Sequence, residues 1–203
     1  MTTRIKTEMK LGITGGIGSG KTSVCRVFNV LGIPVYSADY EAQLLMNNNR
    51  QIKEGINRIA GKDLYKTGIL DKMALASLIF SDEDSLHRVN KLVHPIVLQE
   101  FDKWASLQVA PYAIIEAAIL FESGASELVD RIATVVAPVE ERIERVVKRN
   151  LLTREQVQER INNQVDDEFR ISKSDYVIHN SENDMIIPVI LQIHEDILGH
   201  STN

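Results

Sequence analysis

The chain has 203 residues, 44% of them hydrophobic, which suffices for a folded core and argues against a largely disordered protein. Its 28 acidic and 23 basic side chains give a formal net charge of -5, so we expect no nucleic-acid partner. The single cysteine excludes an intramolecular disulfide, and no apolar run approaches the roughly 18 residues of a membrane span. The polar start, MTTRIKTEMK, lacks the apolar segment of a secretory signal, and the final STN is expected to fray. The sequence therefore predicts a cytoplasmic protein without a membrane partner.

Short apolar runs alternate with amphipathic segments over most of the chain, which predicts strands alternating with helices. The runs expected to form strands are 9–14, 33–36, 112–116, 131–136 and 176–178. Helical patterns occupy 21–31, the stretch after Asp39 through Met46, several segments between 45 and 107, and 186–198. This alternation predicts an α/β protein with a parallel β-sheet flanked by helices.

Two segments depart from the alternation. Residues 45–107 show helical patterns with polar breaks and no strand, so we expect a helical insertion in a core formed by 1–44 and 108–203. Residues 140–164 are charged throughout and predict a solvent-facing helical hairpin, within a candidate lid at about 138–165. Arginines at 142, 145 and 149 fall on one helical face, where they suit either a lid over phosphates or a solvated surface paired with neighbouring glutamates.

The stretch TGGIGSGKTSV, residues 14–24, has the Walker A spacing between a predicted strand and a predicted helix. We attribute its four glycines in seven residues to backbone conformation and not to packing, because a tightly curled loop can turn successive N–H groups toward a phosphate. The helix that follows adds the positive end of its dipole. Lys21 is expected to reach the terminal phosphates of a nucleotide, and Thr22 to offer its hydroxyl to magnesium.

A phosphate loop alone leaves the reaction open. The guanine-recognition string NKxD does not occur, which favours kinases and ATPases over small GTPases. A small-molecule kinase also needs a carboxylate near the acceptor hydroxyl, and Asp39 follows a predicted strand whose carboxyl end should lie beside the phosphate loop. Asp39 could equally cap the helix that follows it.

Further motifs follow in order over almost the whole chain, from about Lys10 to Leu198. They are SADYEAQ at 37–43, GILDKMALASLIFSD at 68–82, KLVHP ending at Pro95, ILFESG from Ile119, VKRNLLTREQVQERINNQ from Val147 and SDYVIHN ending at Asn180. Together with the glycine loop, this set resembles the dephospho-coenzyme A kinases.

The resemblance implies transfer of the γ-phosphoryl group of ATP to the 3′-hydroxyl of dephospho-coenzyme A, the last step of coenzyme A biosynthesis. It implies a P-loop kinase fold similar to nucleoside monophosphate kinases, with ATP as phosphoryl donor, Mg²⁺, a helical acceptor-binding insertion and a lid. The matching catalytic positions are Asp39, Lys21, Arg145 and Arg149. The ATP-binding positions are Gly16, Ile17, Gly18, Ser19, Gly20, Lys21, Thr22, Ser23 and Asn180, and the acceptor-binding positions are Thr14, Asp39 and His94.

The chain departs from the family pattern at four positions. Ser37 stands where the family commonly has an aspartate, Glu116 and Ala118 stand where a proline is usual before the LLFE string, and Lys72 replaces an arginine. A lysine cannot give bidentate recognition, so acceptor contacts there should differ.

Two alternatives share features with this assignment. A kinase for a nucleoside monophosphate or another hydroxyl acceptor would differ in the helical insertion, and a nucleotide-dependent switch would bind ATP without needing Asp39. Apart from the resemblance, His94 precedes a proline and is expected to leave helical conformation.

Overall fold

The structure, a computed structural model, describes residues 9–150 and 152–200, so the predictions for the first eight residues and for the STN end lie outside the described residues. Five parallel strands form one sheet in the order β2-β3-β1-β4-β5. The strands are β1 (Met9–Thr14), β2 (Val35–Ser37), β3 (Tyr112–Glu116), β4 (Arg131–Val136) and β5 (Tyr176–His179).

Nine helices are described around these strands, and the predicted α/β class with a parallel sheet is confirmed. The helices are α1 (Lys21–Val30), α2 (Ala38–Asn48), α3 (Arg50–Ala60), α4 (Lys72–Ser81), α5 (Glu83–Ser106), α6 (Val139–Asn150), α7 (Arg154–Asn162), α8 (Asp167–Ser172) and α9 (Ile186–His200). A short 3-10 helix also covers Ala125–Leu128, and neither it nor α8 was predicted. Among these described helices, none has the length and apolar character needed to span a bilayer.

The chain folds as two compact units. One unit contains residues up to Ser37 and those from Lys103 onward, which include the sheet, α1 and α6 to α9. The other, Ala38–Asp102, contains α2, α3, α4 and most of α5. The sequence placed these boundaries a few residues later, at 44/45 and 107/108.

The first unit is built around β1, which lies between β3 and β4. Strands buried on both faces read as continuous apolar runs, and β3 is buried along its whole length. Ile13 pairs with Glu116 and Thr14 with Thr134, so the carboxyl ends of these three strands lie at one edge of the sheet. The core on the face shared by α1 and α9 includes Leu11, Ile13, Val24, Phe28, Ile114, Val135, Ile190, Ile193 and Ile197.

The second unit shows why its helices begin and end where they do. Asn49 accepts a hydrogen bond from the Ile52 amide and caps α3, and Gly61, in the left-handed region at φ 64°, ends that helix. One prediction was wrong here: His94 does not leave helical conformation, because Pro95 lies inside α5. Proline removes a backbone donor from a helix, and the 24 residues of α5 continue past it nonetheless.

The charged hairpin predicted over 140–164 forms as α6 and α7, but one of its faces is buried. Ile143 and Val146 of α6 pack on Val157 of α7 in a small core of their own. Thr153 and Gln156 form a reciprocal capping box that starts α7. Most charged residues of the hairpin are exposed, as predicted, and the prediction fails at Arg142, which is 2% exposed.

Candidate active site

The phosphate loop connects β1 to α1 at the carboxyl edge of the sheet, where ligands of parallel α/β proteins bind. The Ser19 amide donates to the Gly16 carbonyl at 3.1 Å, which closes a tight turn. Lys21, 9% exposed, donates from Nζ to the Gly15 carbonyl at 2.9 Å, so its ammonium lies against the loop. Thr22, in the first turn of α1, is exposed. The loop therefore presents a cation, a hydroxyl and a helix N-terminus to one region, which suits a polyphosphate.

The glycines of this loop serve conformation and packing together, so the attribution to conformation alone was wrong. Gly15, Gly18 and Gly20 have φ values of 148°, 79° and 100°, in the region that favours glycine. Gly16 has no such φ, yet a Cβ there would lie 2.0 Å from Nη2 of Arg142. A Cβ on Gly18 would meet the Arg142 carbonyl oxygen at 2.5 Å. The loop thus folds around an arginine of α6.

Arg142 holds the loop from outside. Its Nε donates to the Ile17 carbonyl at 2.9 Å, and its Nη1 donates to Oδ2 of Asp167 at 2.9 Å. Burial lowers the pKa of Arg142, and the Asp167 carboxylate opposes that shift. An arginine nevertheless remains charged at neutral pH. The sequence singled out Arg142 only as one of three helical arginines, and no local signal points to its contact with the loop.

Two more side chains bind the loop's backbone. The Ile17 amide donates to Oε1 of Gln164 at 2.9 Å, and Nδ2 of Asn180 donates to the Ser19 carbonyl at 2.7 Å. Asn180 follows β5 directly, and its backbone amide donates a hydrogen bond to the Val136 carbonyl of β4. Asn180 was predicted as an ATP-binding residue. The structure places it beside the loop, and its contact with ATP stays a prediction.

The predicted lid arginines differ in their surroundings. Arg145 donates to the Asn180 carbonyl at 2.9 Å and pairs with Glu141 at 2.7 Å. Arg149, one turn further along α6, is exposed. A role for either guanidinium on the transferring phosphoryl group stays a prediction.

Two buried hydroxyls lie at the base of the loop. Thr14 Oγ1 and Ser19 Oγ form no hydrogen bond with any described residue, and both residues are fully buried. Buried polar atoms without partners carry a free-energy cost, so such atoms in a native site call for a ligand or an ordered water. Thr14 was predicted as an acceptor-binding residue. It ends β1 at the base of the loop, and a contact with the acceptor stays a prediction.

Two of the departures from the family pattern are in contact. Ser37, the last residue of β2, donates from its hydroxyl to Oε2 of Glu116 at 2.9 Å. Glu116 is 9% exposed and ends β3, next to the strand that enters the phosphate loop. The edge of the sheet therefore keeps a buried carboxylate, supplied by β3. The sequence flagged both positions but gave no sign that they pair.

The second unit carries Asp39 and His94. Asp39 is exposed in the first turn of α2, and since that helix begins at Ala38, Asp39 is not its N-cap. His94 of α5 is half-buried, and this burial lowers its pKa while the Asp39 carboxylate acts in the opposite direction. Lys72, another of the four departures from the family pattern, donates from Nζ to Oε1 of Gln43 at 2.9 Å, also on α2. Helix α2 thus brings together the predicted base and two residues assigned to the acceptor side.

Comparisons with known proteins identify the family of the chain. The sequence model of the family described as CoaE, dephospho-CoA kinase, matches residues 9–185. A dephospho-CoA kinase from Bacteroides fragilis (strain YCH46) is 37% identical over 186 residues, which cover 91% of this chain and 91% of the relative. A crystal structure from Thermus thermophilus has a TM-score of 0.81 and 31% identity, covering 96% of this chain and 98% of that one.

A dephospho-CoA kinase structure from Campylobacter jejuni has a TM-score of 0.65 and 23% identity, covering 94% of this chain and 98% of that one. At that identity the likeness shows a shared P-loop kinase fold. The family model covers well over half of the chain, and the Bacteroides fragilis relative aligns with nearly all of it. On these grounds the chain belongs to the dephospho-CoA kinase family.

Proposed function

We propose that this kinase, whose family transfers phosphoryl from ATP to dephospho-coenzyme A, places the triphosphate on the 16–23 loop and uses Asp39 to activate the acceptor's 3′-hydroxyl. The observation that carries the proposal is the phosphate loop itself, with Lys21 buried against it at the carboxyl edge of a parallel sheet. This reaction is the last step of coenzyme A biosynthesis.

The loop's own residues bind and orient the nucleotide. Lys21 places its ammonium where it can neutralise charge on the terminal phosphates, and the amides at the start of α1 donate to phosphate oxygens. The fully buried Ser19 and Thr14 hydroxyls add polar groups at the base of the loop. Asn180, held against the Ser19 carbonyl, is assigned to contact the adenine of ATP.

The residues present also fit a magnesium ion. Magnesium is usually held by one or two protein oxygens together with substrate phosphates, and no group of three or more His, Cys, Asp or Glu that could cage a metal occurs in the part of the chain that the structure describes. The exposed Thr22 hydroxyl would hold the ion, and the buried Glu116 carboxylate adds negative charge at the same edge. When bound, magnesium would neutralise negative charge on the phosphates of ATP.

Asp39 is the candidate general base for the 3′-hydroxyl. It follows β2 after a single residue and is exposed, so its carboxylate is accessible to a hydroxyl acceptor. His94, within electrostatic range of Asp39, is assigned to acceptor binding. Arg145 and Arg149 of α6 would neutralise the phosphoryl oxygens during transfer, once Arg145 exchanges its contact with Glu141 for the nucleotide. We also propose that the enzyme is cytoplasmic and has no nucleic-acid partner, on the grounds of its single cysteine and its net charge of -5.

The test is ADP release measured with ATP and magnesium in the presence of dephospho-coenzyme A, AMP or no acceptor, with product mass checked for one added phosphoryl group. Stimulation by dephospho-coenzyme A alone is expected. Asp39→Asn should reduce kcat by about 100-fold or more while the Kd for ATP stays near wild type, because a general base acts in the chemical step. Asp102→Asn, an exposed carboxylate on α5, is the matched control. Stimulation by AMP, or an Asp39→Asn enzyme with normal kcat, would contradict the assignment.

A further inference from the structure

The phosphate loop is held from its outer side by side chains that come from distant parts of the sequence. Arg142, 125 residues from Ile17, binds the carbonyl of that residue, and Gln164, 147 residues away, binds its amide. Both polar backbone groups of Ile17 are therefore engaged by side chains. The amide and the carbonyl belong to the two successive peptide units that flank the Ile17 Cα, so both units have little freedom to rotate and the neighbouring amides keep a fixed direction.

Arg142 is also anchored behind the loop. Its Nη1 and the Nη1 of Arg170 each donate at 2.9 Å to a different oxygen of Asp167. Arg142 is 2% exposed and Arg170 is 1% exposed. Two buried cations thus share one carboxylate, which leaves an excess of positive charge beside the loop. Excess buried charge is costly, and a polyanion bound on the other side of the loop would offset part of that cost.

Arg170 has further donors in this buried region. Its Nε and Nη2 form no hydrogen bond with any described residue. The positive end of the α1 dipole points into the same loop. The charge pattern around the loop is therefore complementary to phosphate oxygens, and the loop's shape depends on Arg142.

We propose that Arg142 is a positioning residue for nucleotide binding, which presets the phosphate loop by holding the Ile17 carbonyl while Asp167 anchors the guanidinium. The proposal deepens the function proposed above, since it rests on that loop's binding ATP. Arg142 does not touch the nucleotide. Without it, the loop samples other conformations, and the apparent Kd rises in inverse proportion to the fraction that remains competent.

The first experiment compares Arg142→Met and Arg142→Lys with the wild-type chain. Calorimetry would measure the Kd for ATP and for inorganic tripolyphosphate, and hydrogen exchange in the free protein would follow the amides of residues 16–20. If the fraction of molecules with a binding-competent loop falls to about a tenth, Arg142→Met raises the Kd for both ligands about tenfold and speeds hydrogen exchange in the loop. Because tripolyphosphate has no base or ribose, an equal loss for both ligands assigns the effect to the phosphate loop. Arg142→Lys should recover part of the loss, as a lysine can still donate to one carbonyl.

Arg154→Met is the matched control. Arg154 begins α7 and pairs with Glu140 of α6, and both side chains are exposed. The substitution therefore removes a cation from the same hairpin without disturbing a buried contact. An exposed ion pair contributes little, and binding and loop exchange should match wild type in this variant.

Several results would overturn the proposal. An Arg142→Met protein whose Kd values and loop hydrogen exchange match wild type would overturn it. Hydrogen exchange that is faster by the same factor in the loop and in β4 would also overturn it, because that result indicates a purely structural role. Should Arg142→Met fail to fold, Gln164→Leu removes the partner of the Ile17 amide from a half-buried position, and unchanged loop exchange there would count against the proposal. If wild type binds neither ligand, the proposed function fails, whereas exchange in the free protein still decides the role of Arg142.

Discussion

Substituting Gly16 by alanine tests the packing of the loop around Arg142 directly. Gly16 does not have a positive φ, so an alanine is compatible with its backbone. The new Cβ would lie 2.0 Å from Nη2 and 2.5 Å from Cζ of Arg142, far inside van der Waals contact. Either the guanidinium or the loop must move. Arg142 is buried and held by Ile17 and Asp167, so it cannot swing into solvent without breaking these contacts.

The size of the effect follows from the contacts that are lost. A hydrogen bond to a charged group contributes about 1.5–3 kcal/mol, and breaking a buried ion pair costs about 3–5 kcal/mol. The Asp167 side chain is 28% exposed, so water compensates part of its loss. We therefore expect Gly16→Ala to lower the free energy of unfolding by about 2–3 kcal/mol.

The assay is urea denaturation followed by the fluorescence of Trp104, the chain's one tryptophan, which packs on Tyr36 in the same unit as the loop. A double-mutant cycle with Arg142→Ala isolates the contact, because Gly16→Ala should cost less than about 0.5 kcal/mol once the guanidinium is gone. Gly199→Ala is the control: a Cβ at that helical position meets nothing within 4 Å, so the change should be neutral or stabilising. A Gly16→Ala chain as stable as wild type, or additive effects in the cycle, would refute the reasoning.

Two further predictions concern titratable groups. Burial lowers the pKa of the His94 imidazole in the folded chain. Just below the ordinary histidine pKa of about 6.5, the unfolded chain therefore binds a proton that the folded chain does not. Acidification through this pH window should cost the wild-type protein more stability than it costs His94→Gln. Urea midpoints at about pH 7 and about pH 5 measure this, and parallel losses in the two proteins would disprove it. Ser37→Asp restores the residue common in the family but places a second carboxylate against Glu116. Repulsion between the two carboxylates should raise the pKa of the pair. This variant should therefore have a lower melting temperature than Ser37→Ala at neutral pH and regain stability on mild acidification. A Ser37→Asp protein with the melting temperature of wild type at neutral pH would contradict the close approach of residue 37 to Glu116.

The sheet could be predicted because its signals are local. Each strand is a short apolar run, and β1 and β4 begin and end at the predicted residues. Helix α8, only six residues long, has too little periodicity to be recognised. Pro95 misled the prediction at His94, because the rule for residues before proline describes a preference of the local chain, and α5 continues through that position.

The candidate site divides in the same way. The phosphate loop was predicted because its residues are contiguous and flanked by a strand and a helix. The contacts of Ile17 with Arg142 and Gln164 could not be predicted, since they join side chains to a backbone more than a hundred residues away. The pairing of Ser37 with Glu116 was equally hidden, although each residue drew notice as a departure from the family.

The spacing of glycines in the loop carries more information than the motif alone suggests. Gly16 and Gly18 leave room for Arg142, and a Cβ on Gly20 would lie 1.9 Å from Nδ2 of Asn180. Gly16 and Gly20 therefore face side chains and Gly18 faces the backbone of Arg142, and all of these groups come from beyond β4. A loop of this kind is shaped from outside by side chains and from inside by its ligand. It follows that a variant which alters Arg142 or Asn180 should change nucleotide binding even though the glycine motif itself is intact.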